Sequence, residues 1–447
     1  MKTSIQTAVC IGLAALLASC GGGGGGGGST PAPVTYTVGG TVTGLAAAKS
    51  LVLSNNGGNT ITVNANGAFS FSTALTSGAN YAISVSTQPT GMDCSVANAS
   101  GTVTANVSNV TVTCFKSPAF ACVTNYLENT ISAYTVNATT GMLTSVGAAE
   151  PTGFGPGSFT VDPTGRFVYV AIDGDNAVSS FSINAATGAL TSLGAAVPTR
   201  ASPFSVAVDS TGKFTYVVNN FDNTAIVYSI NATTGVLTAV GAPVSTGRSP
   251  NFITVDPTGK FAYVANSDDN TVSAYTINAI TGALTSVGAA VAAGKLPTSV
   301  SIDPKGKFAY VTNPGDNTVS AYTINATTGA LTSVGIAVAA GRYSNSATVD
   351  PTGRFVYVTN GSDKSVSAYT INAATGALTS VGEAVAAGNF PISVAVDPTG
   401  KFAYVANYRD NTVSIYTINA TTGALTSTGT TVATGLRPSA VVITPRQ

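Results

Sequence analysis

The chain has no histidine and no tryptophan, and charged residues make up only 8% of its 447 positions. Without histidine there is no imidazole base, no histidine-ligated zinc and no histidine pH switch. Eighteen basic residues balance eighteen acidic ones, so there is no basic stripe to neutralise phosphates, and a nucleic-acid partner is excluded. No G-x-S-x-G nucleophile turn opens onto a helix, and no helix is expected. Asp173-Gly174-Asp175-Asn176 comes nearest to a calcium loop but lacks its full ligand spacing. No metal and no cofactor is expected. What the chain does have is small and β-branched residues, with 49 glycines. That composition reads as all-β, and the length is ample for more than one domain.

The first apolar run, residues 11–17, is too short to span a membrane. It follows the basic Lys2 and leads into Leu17-Ala18-Ser19-Cys20. This resembles the bacterial lipoprotein signal with its lipobox, which implies cleavage before Cys20 and lipidation of that cysteine. Residues 1–19 are then a signal peptide. Residues 20–33, with eight consecutive glycines at 21–28, form a flexible tether. The expected partner is a membrane, reached through the anchor, in the bacterial cell envelope. Gly21 resembles the pattern of lipoproteins sent on to the outer membrane.

Residues 34–114 alternate apolar and polar positions in short runs, as at Val34, Tyr36 and Val38, with turn signals such as Asn64-Ala65-Asn66-Gly67. The sequence predicts a small β-sandwich resembling the immunoglobulin-like modules of bacterial surface lipoproteins. An exported chain meets an oxidising compartment, so Cys94 and Cys114 are expected to pair. Cys122 is expected to be a buried thiol.

Residues 115–447 carry a 47-residue repeat, anchored on Asp162, Asp209, Asp256, Asp303, Asp350 and Asp397, each opening a turn of Asp-Pro-Thr-Gly type. Each copy reads as four strands, A to D, the period of a propeller blade. Strand B occurs seven times, beginning at Ala119, Arg166, Lys213, Lys260, Lys307, Arg354 and Lys401. Strand A is displaced, its last copy lying at 439–443. One blade is therefore built from both ends of the array, which predicts a closed seven-bladed β-propeller without free sheet edges. YVTN at 310–313, YVAN at 263–266 and DNTVSAYTIN at 316–325 resemble the YVTN-type, lactonase-like propellers. The resemblance covers about 330 residues and implies a 6-phosphogluconolactonase-like hydrolase. In the resembling enzymes the reactive cluster includes histidine, which this chain lacks.

Blade compared with blade, the A–B and C–D turns hardly vary, whereas the B–C and D–A loops do. Those loops make one face of a propeller, taken as the functional face, with drift at solvated loop tips as the alternative. Arg248, Lys295, Arg342 and Arg437 are expected to form a cationic ring for carboxylates or phosphates, with Arg409 nearby. Tyr126, Tyr343, Phe390 and Tyr408 offer flat surfaces for sugars or peptides. The acidic series from Glu128 through Asp175 to Asp410 recurs in every blade and reads as turn chemistry. Glu128, Glu150 and Glu383 are the only glutamates and are expected on this face as weak candidates for a catalytic base. The expected function is binding of a carbohydrate, a small anionic metabolite, a peptide or a protein by a lipid-anchored propeller. The alternative is a divergent lactonase without a histidine base.

Overall fold

The structure, a computed structural model, describes residues 32–89, 92–116 and 119–445. Residues 1–31, which hold the expected signal peptide, Cys20 and all but the last two residues of the expected tether, lie outside the described residues. The first unit contains two four-stranded sheets. One runs Gly67–Ser70, Val38–Thr43, Val107–Lys116, Met92–Ala97, and the other Asn59–Val63, Leu51–Asn55, Asn80–Thr87, Ser100–Thr102. The inward residues of both, among them Val38, Val42, Leu51, Leu53, Tyr81 and Val112, share one core. Cys94 and Cys114 face each other on neighbouring antiparallel strands and form a disulfide.

Seven further sheets follow, one per blade, each ordered A-B-C-D. Numbered by their B strands, blade 1 carries Ala119–Asn125, blade 2 Phe167–Ile172, blade 3 Phe214–Asn219 and blade 4 Phe261–Asn266. Blade 5 carries Phe308–Asn313, blade 6 Phe355–Asn360 and blade 7 Phe402–Asn407. Strand A of blade 1 is Pro438–Ile443, which pairs antiparallel with Ala119–Asn125. The ring thus closes as the displaced repeat predicts. Strand B begins one residue later than expected in blades 2 to 7. Strand D is broken in five blades: in blade 5 it runs Leu331–Ser333 and resumes at Val338–Ala339.

Strand B is buried on both sides because its alternate residues feed two different cores. Phe308 and Tyr310 pack with Val356 and Val358 of blade 6, while Ala309 and Val311 pack with Phe261 and Tyr263 of blade 4. The B-strand tyrosine also ties neighbours together: the Tyr310 hydroxyl donates to the Gly376 carbonyl of blade 6 at 3.0 Å. Cys122 takes this tyrosine's slot in blade 1 and is fully buried, and burial pushes its thiol up to about 12.

The invariant turns are explained by side chains that replace backbone partners. Asp256 is buried; its Oδ1 accepts from the Lys260 and Phe261 N–H groups at 2.8 and 2.7 Å, and its Oδ2 from the Thr258 N–H and hydroxyl. In the C–D turn, Asn325 Oδ1 accepts from the Thr327 and Thr328 N–H groups at 3.0 Å. The Asn-Ala-Thr runs at Asn137, Asn231, Asn325 and Asn419 are such turns.

Candidate functional site

The D–A loops into blades 2 to 6 are each pinned by two blades at once. In blade 4, Asp269 Oδ2 accepts from the Arg248 N–H at 2.7 Å, and Asn223 Oδ1 of blade 3 accepts from the next N–H, that of Ser249, at 2.8 Å. The same aspartate bond recurs at Phe154, Ala201, Lys295, Arg342 and Asn389. The acidic series is therefore loop architecture in six blades. Asn176, Asn223, Asn270, Asn317 and their counterparts sit at φ of 51–59°, which asparagine tolerates better than most residues. Blade 6 departs with Lys364 at φ 53°, whose side chain has no oxygen to offer.

The second residue of this pair also has positive φ in every blade: Gly155, Ser202, Ser249, Leu296, Tyr343, Phe390 and Arg437. Only one of the seven is glycine. A non-glycine residue here costs about 1–2 kcal/mol. Four of the seven are large: Leu296, Tyr343, Phe390 and Arg437. Bulky side chains held in a costly backbone conformation are characteristic of ligand-contacting positions.

This residue separates two groups that the expected cationic ring had joined. Arg248, Lys295 and Arg342 stand at the first pinned position, with Leu436 as their equivalent in blade 1; Arg437 lies one residue further on. At the first position the side chain folds back onto its own blade. Arg248 Nε meets Asp269 at 2.6 Å, Arg342 Nε meets Asp363 at 2.7 Å, and Lys295 Nζ lies 4.0 Å from Asp316. The ring does not form, because three of its members are engaged sideways and none of the three lines the central cavity.

That cavity, about 800 Å³, runs into the propeller axis from the B–C/D–A face. Its mouth brings together Tyr126, Tyr343, Phe390, Tyr408 and Arg409. Tyr343 and Phe390 have ring centroids 5.2 Å apart, and Phe390 and Tyr408 6.2 Å. The Arg409 guanidinium lies 4.7 Å over Phe390, and that of Arg437 5.5 Å over Tyr408. On the adjoining blade 1, burial raises the Tyr126 phenol above its usual value; Asp173 and Tyr408 push the same way, and Arg437 opposes them. Asp173 accepts from the Ser202 hydroxyl at 2.5 Å. Leu127, Phe154, Phe204, Phe221, Leu296, Tyr343 and Leu436 are all exposed and stand on this same face, making it apolar in a way that marks an interaction surface.

Deeper in, the cavity is walled by the second residue of strand A in six blades, Gly157, Phe204, Asn251, Asn345, Ile392 and Ser439, and by its equivalent Thr298, just before the strand, in blade 5. A register shift at the start of strand A in six blades turns these side chains toward the axis. Asn345 Nδ2 lacks a hydrogen-bond partner, whereas Asn251 Oδ1 accepts from Asn220 Nδ2 at 2.7 Å. Sequence reasoning missed this ring. Its signal was present, since six residue types fill this one position across the seven blades.

The glutamates do not converge. Glu128 is exposed on the blade 1 B–C loop beside Gly435. Glu150 lies in the outer strand Glu150–Pro151 of blade 1, and Glu383 is exposed in the break of the blade 6 outer strand. None lines the cavity, where Asp173 is the only carboxylate among the described residues. Glu150 and Glu383 lie along the outermost strand D of blades 1 and 6, at the blade edges and away from the cavity lining. Among the described residues no cluster of histidine, cysteine, aspartate and glutamate could hold a metal.

The model of the lactonase family, a seven-bladed β-propeller, matches residues 92–203, 198–301 and 301–443. Similar solved structures include a putative 6-phosphogluconolactonase from Bacteroides uniformis, at 22% identity and a TM-score of 0.66, covering 73% of this chain and all of that one. A second, from Bacteroides fragilis, has 24% identity and a TM-score of 0.65, covering 73% of this chain and 98% of its own. The periplasmic gluconolactonase of Pseudomonas aeruginosa has 19% identity and a TM-score of 0.63, covering 74% of this chain and all of its own. A search of curated proteins finds no match. At these identities the structures establish a shared fold, and the match over residues 92–443 identifies the chain as a member of the lactonase family of seven-bladed β-propellers.

Proposed function

We propose that this is a lipid-anchored propeller of the bacterial envelope that binds a carbohydrate at the mouth of its axial cavity. The observation that carries the reading is the arc Tyr343–Phe390–Tyr408, three rings in sequence along one wall of that cavity, capped by Arg409. Flat apolar rings with polar tips suit the apolar faces of pyranoses. The asparagines, serines and threonines below supply hydrogen-bond partners for hydroxyls. Anchoring to the envelope rests on the lipobox at residues 17–20. Calorimetry against neutral and acidic oligosaccharides tests the reading. Phe390→Ala is expected to weaken binding about tenfold, a loss of about 1.4 kcal/mol. Unchanged affinity in that variant, or no binding across the panel, would overturn it.

Family membership favours a second reading, hydrolysis of a sugar lactone in the same cavity. Asp173 is the carboxylate available there to activate water, with Tyr126 beside it. This reading requires lactone turnover that falls by about 10²–10⁴ in Asp173→Asn. No turnover across a panel of sugar lactones would sink it.

A further inference from the structure

Beside the axial cavity lies a second hollow of about 470 Å³, lined by Leu127, Tyr408, Arg409, Asn411, Leu436 and Arg437. It sits where blade 7 meets blade 1. The two spaces share Tyr408 and Arg409, so one ligand can run from one into the other.

The two arginines of this hollow differ from the three cations at the first position of the D–A pair. Arg248, Lys295 and Arg342 each have an aspartate of their own. Among the described residues neither Arg409 nor Arg437 has a carboxylate within 4 Å. Arg409 follows the first residue of its B–C loop, and the aspartate next to it, Asp410, is occupied by the Asn389 N–H at 2.6 Å. Arg437 holds the positive-φ position, with its N–H bonded to Asn411 Oδ1 at 2.8 Å and its carbonyl to the Tyr126 N–H at 2.9 Å. Glu128, on the neighbouring loop, lies against Gly435 and forms no ion pair with either arginine. Both guanidiniums lie over aromatic faces, Arg409 on Phe390 and Arg437 on Tyr408. Stacking restricts where a guanidinium points while leaving its N–H groups free for an oxyanion, and arginine offers them as a planar fork.

We infer that the hollow between blades 7 and 1 is an oxyanion subsite, and that the ligand of this face is an acidic oligosaccharide. One ring stacks over the Tyr343–Phe390–Tyr408 arc, and an acidic group on an adjoining ring is held by Arg409 and Arg437. This inference rests on the carbohydrate reading above and adds the charge and the length of the ligand. An oxyanion here could be a carboxylate or a sulfate, which the same forks accept.

The test measures binding of the whole protein to three probes of equal length: an oligogalacturonate, a sulfated neutral-backbone oligosaccharide and an uncharged cello-oligosaccharide. At least one acidic chain is expected to bind about tenfold or more tightly than the uncharged one, with the advantage shrinking as salt rises. Arg437→Gln is expected to lose about tenfold for the acidic chain and to leave the uncharged chain within about twofold. Arg409→Lys, which keeps the charge, is expected to retain more of the acidic preference than Arg409→Gln. Preference for the uronate or the sulfated chain identifies the oxyanion and upholds the subsite either way. Equal binding of acidic and uncharged chains, or equal losses for both in Arg437→Gln, would overturn this inference and leave the carbohydrate reading standing. No binding of any chain would overturn both.

Discussion

At the residue scale, one position decides how a side chain on this face is used. Arg342 and Tyr343 are neighbours in sequence, yet Arg342 turns to Asp363 while Tyr343 joins the wall of the cavity. The 47-residue spacing made the aspartates legible, because a feature present in every blade reads as turn chemistry. The same spacing places Leu436, not Arg437, level with Arg248, but it does not say which of the two positions turns back onto its own blade and which faces the mouth. Glu128 departs from the pattern in the other direction. It replaces the loop aspartate of the other six blades, and in blade 1 the Asn125 Oδ1, which in blades 4 to 7 has a counterpart bonded to a glycine N–H, is left without a partner. A buried acceptor without a partner costs about 1–3 kcal/mol. Glu128→Asp is therefore expected to let the loop at Gly435 settle as its counterparts do and to stabilise the propeller by about 1 kcal/mol in thermal unfolding. A fall in the unfolding temperature would show that the longer side chain has a role of its own here.

At the element scale, the loops of this face depend on carboxylates and the opposite face on buried turns. Strands A to C were legible from period-two alternation and Asp-Pro-Thr-Gly punctuation. The break in strand D was not, because Val334-Gly335-Ile336-Ala337 contains no residue that forbids a strand to continue. The D–A loops into blades 4 and 6 should be acid-sensitive. Asp269 and Asp363 are held below their ordinary 3.8 first by the backbone N–H groups of Arg248 and Arg342, then by hydrogen bonds from the two guanidinium side chains. A carboxylate depressed in the folded state adds its full contribution above 3.8 and loses it as pH falls through the lower, folded value. The Arg248 and Arg342 amide resonances are expected to titrate with midpoints below 3.8, and Arg248→Gln should move the first midpoint upward. Midpoints at or above 3.8 would contradict the arrangement.

At the scale of the whole molecule, the ring holds because every blade packs on two neighbours and the closing blade is shared between distant parts of the chain. Phe402 of blade 7 packs on Gly141 of blade 1 in the same way that Phe308 packs on Gly376, so the seam between first and last repeats resembles any other. A chain ending at Ala433 would lack strand A of blade 1 and leave Ala119–Asn125 as a free edge. It is expected to unfold at a markedly lower temperature than the full chain and to self-associate at raised concentration, both measurable by calorimetry and light scattering. A truncated chain as stable and monomeric as the full one would mean that the closing strand is dispensable.

The closing pair also imposes a schedule on the molecule's birth. The Phe120 N–H bonds to the Thr444 hydroxyl, a partner 324 positions away. A ribosome adds about 5–20 residues per second, so blade 1 waits roughly 15–65 s for its inner strand after its second has been made. Through that interval the nascent protein carries an unpaired edge, and any chain interrupted before residue 438 keeps it permanently. The seam thus distinguishes finished copies from unfinished ones by a property that proteases and chaperones can sense, an exposed strand, before any ligand is met.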